Sequence, residues 1–214
     1  MQTETAAGSA SPVRHHDPNV RQRLVDVAVA LFAERGYATT SVREIVERAG
    51  VSKPVLYYHF GSKEGLYLEI MRLLERTVHE TVRGLRTPRG SARSRIRSLI
   101  LGIWDVFSEN TAAVRFVNAV FWGPPQGAPA FDVEVLHRPL TDAFQALVDD
   151  GVARRELRED AAQNLPFALL GTLSFAMDFH LAHPDRSPGR DGLSRVLDLV
   201  LSGASKPRPS GAPR

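Results

Sequence analysis

Apolar positions recur with a helical period through most of the chain, and no convincing strand-like alternation appears. Leu24, Val27, Ala28, Leu31 and Phe32 form the first stripe, which predicts a helix over about residues 20–35 ended by Gly36. Val42, Ile45, Val46 and Ala49 then fall at i, i+3, i+4 and i+7 of a short second helix. Ser41 and Glu44 have capping-box spacing at its start, and Gly50 follows its end. A third short helix begins at once, with Ser52 as N-cap and Pro54 in the first turn. Val51 and Leu56 frame that start as a hydrophobic staple, and Phe60 is the predicted plug of the core beneath it. Ser62 caps a fourth helix carrying Leu66, Ile70, Leu73, Leu74, Val78, Val82 and Leu85. At ~1.5 Å per residue it exceeds about 30 Å, enough to leave one unit and enter the next. Thr87 to Gly90 breaks it.

The remainder reads as further helices. Ile96, Leu99, Ile100, Ile103 and Phe107 mark one, and Val114, Val117, Val120 and Phe121 the next. A loop follows over residues 123–129, then a helix over about 131–150 that Pro139 should kink or restart and Gly151 should end. Residues 161–180 are apolar almost all round, which predicts burial on more than one side. Leu193, Val196, Leu197, Val200 and Leu201 mark the last helix. The fold class is therefore all-α. The organisation is an arm at 1–18, a helix-turn-helix domain at 19–66, a linking helix and loop at 67–90, a larger domain at 91–203, and a tail at 204–214. Arm and tail are polar or Pro-rich without periodicity and read as disordered. Arg14, His15 and His16 of the arm either brush a phosphate backbone or are simply solvated.

The third helix carries groups that do not suit a core. Lys53, Tyr57, Tyr58 and His59 cannot all be buried on a helix barely two turns long. A helix, a Gly turn and a second helix dressed this way form the arrangement that aims its second helix at a DNA major groove. The run from Gly36 to Tyr67, GYATTSVREIVERAGVSKPVLYYHFGSKEGLY, resembles the DNA-binding domain of the TetR family of bacterial transcriptional regulators. The resemblance covers about residues 20–74, and beyond it the chain resembles the family only in length and helical pattern.

Candidate DNA contacts follow from the residue types. Thr40, Ser41 and Arg43 start the second helix, where hydroxyls, a guanidinium and free N–H groups favour a phosphate; Lys63 does the same at the fourth. Ser52, Lys53, Pro54 and Val55 lead into the groove, where lysine can meet guanine and apolar edges a thymine methyl. The resemblance implies that Tyr58 and His59 meet the backbone, and Tyr57 is the candidate base reader. Alternatively one of the two tyrosines packs half-buried, and His59 caps its own helix.

The 214 residues carry a formal charge of +3, a mild excess compatible with nucleic acid. Cysteine is absent, which excludes disulfides and thiolate chemistry. No nucleophile elbow, phosphate loop or metal signature appears, so an enzyme, a cofactor and a metal site are not expected. His180 and His183 have permissive spacing near Asp178 and Asp185 but read as polarity at a helix end. No apolar run of ~18 residues and no signal-peptide pattern are evident, so a cytoplasmic protein without membrane contact is expected.

Eight of the ten Phe and both Trp lie after Ser91. An aromatic-rich helical core can hold a cavity for a small apolar or aromatic effector. Trp104, Phe107, Phe116, Phe121, Phe144, Phe175 and Asp178 are its candidate lining, though each aromatic also suits an ordinary core. Asp178 lies in an apolar run and needs a partner: a ligand, an arginine across a dimer contact, or Arg115. The resemblance implies a homodimer paired through the last two helices, a palindromic operator, and release of double-stranded DNA when a ligand tilts the fourth helix. A repressor is the leading reading; an activator, or a helix-turn-helix protein without an effector, is the alternative.

Overall fold

The structure is a computed structural model that describes residues 18–86, 89–122 and 127–205. The predicted arm with Arg14, His15 and His16, the break at Thr87 and Pro88, the Gly123–Pro125 turn and the tail from residue 206 lie outside the described residues. Nine α-helices account for nearly everything described: α1 (Pro18–Arg35), α2 (Val42–Ala49), α3 (Lys53–Phe60), α4 (Lys63–Leu85), α5 (Ala92–Glu109), α6 (Thr111–Trp122), α7 (Glu134–Ala153), α8 (Ala161–Ala182) and α9 (Gly189–Ala204). One isolated bridge, Leu157 to Ser205, is the only β pairing among these residues.

The first helices are set by local chemistry. Gly36 leaves α1 with φ +83°, and Gly50 leaves α2 with φ +65°, a left-handed conformation that an L side chain adopts only at a cost. The Ser41 hydroxyl accepts from the Glu44 N–H at 3.2 Å, and the Glu44 carboxylate accepts from the Ser41 N–H at 2.8 Å, the reciprocal box anticipated from spacing. Ser62 caps α4 by accepting from the Gly65 N–H at 2.9 Å. The turn there is tight enough that a Cβ at Gly65 would lie 2.0 Å from the Phe60 carbonyl oxygen.

Two apolar cores result. The first gathers Leu24, Leu31 and Phe32 of α1, Ile45 and Val46 of α2, Leu56 of α3, and Leu66, Tyr67 and Ile70 of α4. It also takes Phe116 of α6 and Leu136 of α7. The second gathers α5, most of α7, α8 and α9 around Ile96, Leu99, Phe144, Leu169 and Leu197, and the end of α4 enters it through Val82. Thus α4 spans both cores, and α6 reaches back from the larger unit to lie on α1.

Three local expectations are corrected. α7 continues through Pro139, which is buried within it, rather than restarting. Gly151 does not end α7; the helix continues to Ala153. A Cβ at Gly151 would sit 2.6 Å from the Ala92 Cβ, so close helix packing explains that glycine. α8 is long and apolar enough to cross a membrane by length and composition, contrary to the reading of that run. It packs on α7, α9 and α5, which identifies it as a core helix with one uncovered side. Those neighbours bury it on more than one side, as its composition predicts, and Phe167 and Phe175 on the remaining side are 82% and 71% exposed.

Candidate nucleic-acid interface and ligand cavity

α3 sorts its side chains by angle. At about 100° per residue, Lys53, Pro54, Tyr57 and Tyr58 fall within one arc of roughly 140°, and Val55, Leu56, His59 and Phe60 fall on the other. The outer set is exposed, with Tyr57 at 48% and Tyr58 at 73%. Neither tyrosine packs inward. On the inner side Val55 and Leu56 are buried, and Phe60 packs on the same core beneath the Arg21 guanidinium at 5.4 Å. Val55 is therefore corrected from a groove contact to a core residue: the angle that exposes Tyr58 turns Val55 in. His59 is half-buried, with its ring edge-on to Tyr58 at 5.1 Å. The Gly61 N–H closes the helix end on the Tyr57 carbonyl at 2.8 Å. Ser52 has N-cap backbone geometry but its hydroxyl makes no cap bond, and the residue is exposed.

The support around α3 absorbs two predicted phosphate donors. Thr40 is buried, and its hydroxyl donates to the Gly36 carbonyl at 2.8 Å. The Lys63 ammonium donates to the carbonyls of Tyr37 and Thr40, both at 2.9 Å, and sits 4.1 Å from the centre of the Tyr37 ring. Burial lowers its pKa. Both residues are corrected to struts of the α1–α2 turn; the carbonyls left open by that turn drew them in. Ser41 is exposed, with its hydroxyl engaged in the capping box. Arg43 is exposed and pairs with Glu47 at 2.6 Å. An exposed pair of this kind is screened by solvent and contributes little, so it exchanges readily for a phosphate. Arg23 of α1 donates to the Ala49 carbonyl at 2.9 Å, which ties α1 to the end of α2.

A cavity of about 560 Å³ opens where α1, α4, α6, α7 and α8 meet the end of α5. Leu73, Val114, Leu140, Leu173 and Met177 supply apolar wall; Asn118, His137, Ser174 and Asp178 are polar groups on it. Of the predicted lining, Phe107 and Asp178 are in place. The others are not, and each has a physical reason. Trp104 and Phe144 fill the second core. Phe116 is 2% exposed in the first core, 6.1 Å from the Phe32 ring and 5.8 Å from Tyr67. Phe121 packs on that core and stacks on His137 at 4.0 Å. Phe175 faces outward. Arg115 does not meet Asp178; it donates to the Leu181 carbonyl at 2.6 Å, and the Asp178 carboxylate accepts from the Asn118 amide at 2.5 Å.

Burial raises the Asp178 pKa, and the Asn118 bond opposes the rise. Burial lowers the His137 pKa, with Glu134 opposing. Asn118 and His137 were missed as lining residues. Asn118 lies one turn after Val114, so a polar residue on an apolar stripe was its available signal. His137 carried none. No group of three metal-ligating side chains occurs among the described residues.

Comparison with known proteins agrees with this geometry. Residues 24–70 match the family described as bacterial regulatory proteins, tetR family. The transcriptional activator FasR of Mycolicibacterium smegmatis is 34% identical over 143 residues, 64% of this chain and 64% of that protein's length. The transcriptional repressor KstR2 of Rhodococcus jostii is 26% identical over 193 residues, 87% of this chain and 92% of the relative. In fold, the chain matches the ketosteroid transcriptional regulator KstR2 of Mycobacterium tuberculosis with a TM-score of 0.69 at 21% identity, covering 92% of this chain and 100% of that one. The exposed face of α3, its three-helix support and these matches together identify residues 24–70 as a DNA-binding domain of the kind found in the TetR family of bacterial transcriptional regulators.

Proposed function

We propose that the protein is a ligand-responsive repressor that binds a palindromic operator as a homodimer and lets go when a small apolar or aromatic effector fills the cavity. The observation that carries the DNA-binding half is the exposed arc of Lys53, Pro54, Tyr57 and Tyr58 on α3, joined by Ser52 and by Arg43 at the start of α2. Lys53 and the tyrosine hydroxyls supply donors, and Pro54 an apolar edge. Two such helices related by a two-fold meet half-sites about 34 Å or a multiple apart.

The dimer half is supported by the uncovered apolar side of α8 with its neighbour α9. Phe167 and Phe175 are joined by Leu199 at 73% and Val196 at 43% exposure. Large apolar side chains in this density mark an interface rather than a solvated surface. The effector half is supported by the cavity, whose walls include Val25 and Val29 of α1 and Leu73, Leu74 and Val78 of α4. A ligand there touches the DNA-binding unit directly and tilts α4. Coupling of ~1–3 kcal/mol suffices for a working switch.

FasR, a relative covered over 64% of its length, is an activator, and this favours activation as the second reading. Mapping of the DNA bound by the full chain in cells, followed by a mobility-shift assay on the recovered sequence, tests the proposal. A palindrome with half-sites one or two turns apart is expected. Binding without sequence preference would refute it. Transcription from that operator in the absence and presence of the protein separates repression from activation.

A further inference from the structure

Every formally charged side chain on the cavity wall is acidic. Asp26 of α1, Glu109 of α5 and Asp178 of α8 border it, and no lysine or arginine among the described residues does. Arg115, three residues before Asn118, is exposed and donates to the Leu181 carbonyl instead. Asp26 is held by Gln22 at 2.8 Å. Asp178 accepts from Asn118 through Oδ1 alone, which leaves Oδ2 able to accept from a ligand. The rest of the wall is largely aliphatic.

We propose that the cavity takes an amphipathic organic cation, with its apolar body against the leucine and valine wall and a protonated amine or quaternary ammonium at the Asp178 carboxylate. This rests on the reading of the cavity as the effector site and adds the chemical class of the effector. An anionic head would be carried beside Asp178 with no positive group to balance either charge, an arrangement that like-charge repulsion and desolvation both oppose. A neutral molecule fills the apolar volume but further desolvates an uncompensated carboxylate. A cation satisfies the carboxylate and the apolar wall together, and a charge-assisted contact is roughly twice as strong as a neutral one. His137 of α7 also borders the cavity, and burial lowers its pKa, which disfavours the charged form that would repel a cation.

Three probes that share an n-decyl chain test this: decyltrimethylammonium, 1-decanol and decanoate, each titrated calorimetrically into the full-length protein below its micellar concentration. The ammonium is expected to bind about tenfold or more tighter than the alcohol, with decanoate weakest. In Asp178→Asn the preference for the ammonium over the alcohol is expected to shrink to about twofold. The wild-type ranking needs no variant, so it decides even if Asp178→Asn fails to fold. An alcohol that matches the ammonium, or decanoate binding tightest, overturns the cation and leaves an apolar effector site standing. If no probe binds, the cavity reading falls and the cation with it. Ser174→Trp narrows the cavity and should weaken all three probes; ammonium affinity unchanged in that variant places binding elsewhere and overturns the proposal.

Discussion

Phe116 offers the sharpest test of how the two units are joined. It lies on α6, in the stretch that its aromatic content assigns to the effector domain, yet its ring sits among Phe32 and Tyr67 in the core under the helix-turn-helix. At 2% exposure it is fully packed. Phe→Ala in such a site costs about 3–5 kcal/mol from lost transfer and an incompletely collapsed cavity. Two aromatic neighbours, each adding about 0.5–1.5 kcal/mol beyond area, push the cost to the upper half of that range. Amide hydrogen exchange on Phe116→Ala should therefore show protection in α1 and the start of α4 falling by about three to three and a half orders of magnitude. Phe144→Ala, an equal deletion in the second core, should instead act first on α5 and α8. Operator affinity should fall for Phe116→Ala at temperatures where α8 remains protected. If α1 protection is unchanged while α8 loosens, Phe116 belongs to the effector core and α6 does not join the two units.

Lys53→Ala should weaken operator binding with no loss of melting temperature, and the slope of log affinity against log salt should fall by about 1; an unchanged affinity refutes its role. Lys63→Met should do the reverse, destabilising by about 1–2 kcal/mol because two carbonyls lose a charged donor, with the salt slope unchanged; urea unfolding and the same salt series check it. Asp178 has a raised pKa in the fold, so the folded state favours its protonated form, and the cost of ionising it appears as pH rises through the folded pKa. Asp178→Asn should accordingly melt higher than the parent at pH 7.5 without ligand, with the gap closing on acidification toward the ordinary carboxylate range; a lower melting temperature at pH 7.5 contradicts it. Phe175→Asp should leave helicity intact and shift sedimentation from dimer to monomer, and a persistent dimer would locate the interface elsewhere.

What could be read from the chain was what neighbouring residues settle among themselves. The Ser41–Glu44 box, the left-handed exits at Gly36 and Gly50, and the Ser62 cap each involve groups within four residues, and each forms as its spacing implies. The exposure of Tyr57 and Tyr58 follows from the angle they share with Lys53 on a short helix. Burial decided by distant chain was not legible. Val55 and Thr40 have plausible DNA-contact chemistry, and the cores of α1 and α2 claim them. Gly151 has the appearance of a helix stop, but the close approach of α5 is what requires it. The cavity is the extreme case. Its wall joins α1 to α8 across most of the chain, and no local pattern marks Gln22 or Asp26 as neighbours of Asp178. Aromatic content pointed to the right half of the molecule but, Phe107 apart, to the wrong residues, because most of the rings fill cores while aliphatic residues line the space.

That placement bears on how a signal would travel under the proposed mechanism. A tilt of α4 is one route, since that helix enters both cores. α6 supplies a shorter one. Val114, Val117 and Asn118 face the cavity, and Phe116 between them inserts into the core that holds α1 and α4. An effector that moves Asp178 carries the bonded Asn118 with it, and with Asn118 the backbone that holds Phe116. Cores at close-packed density respond to such shifts by repacking between discrete arrangements rather than by yielding gradually. The two routes separate experimentally. If α4 alone transmits, Phe116→Leu leaves the ligand-induced change in operator affinity intact; if α6 transmits, the smaller side chain reduces that change while basal operator binding survives. A change preserved in full in Phe116→Leu would confine transmission to α4, whatever the ring contacts of Phe116.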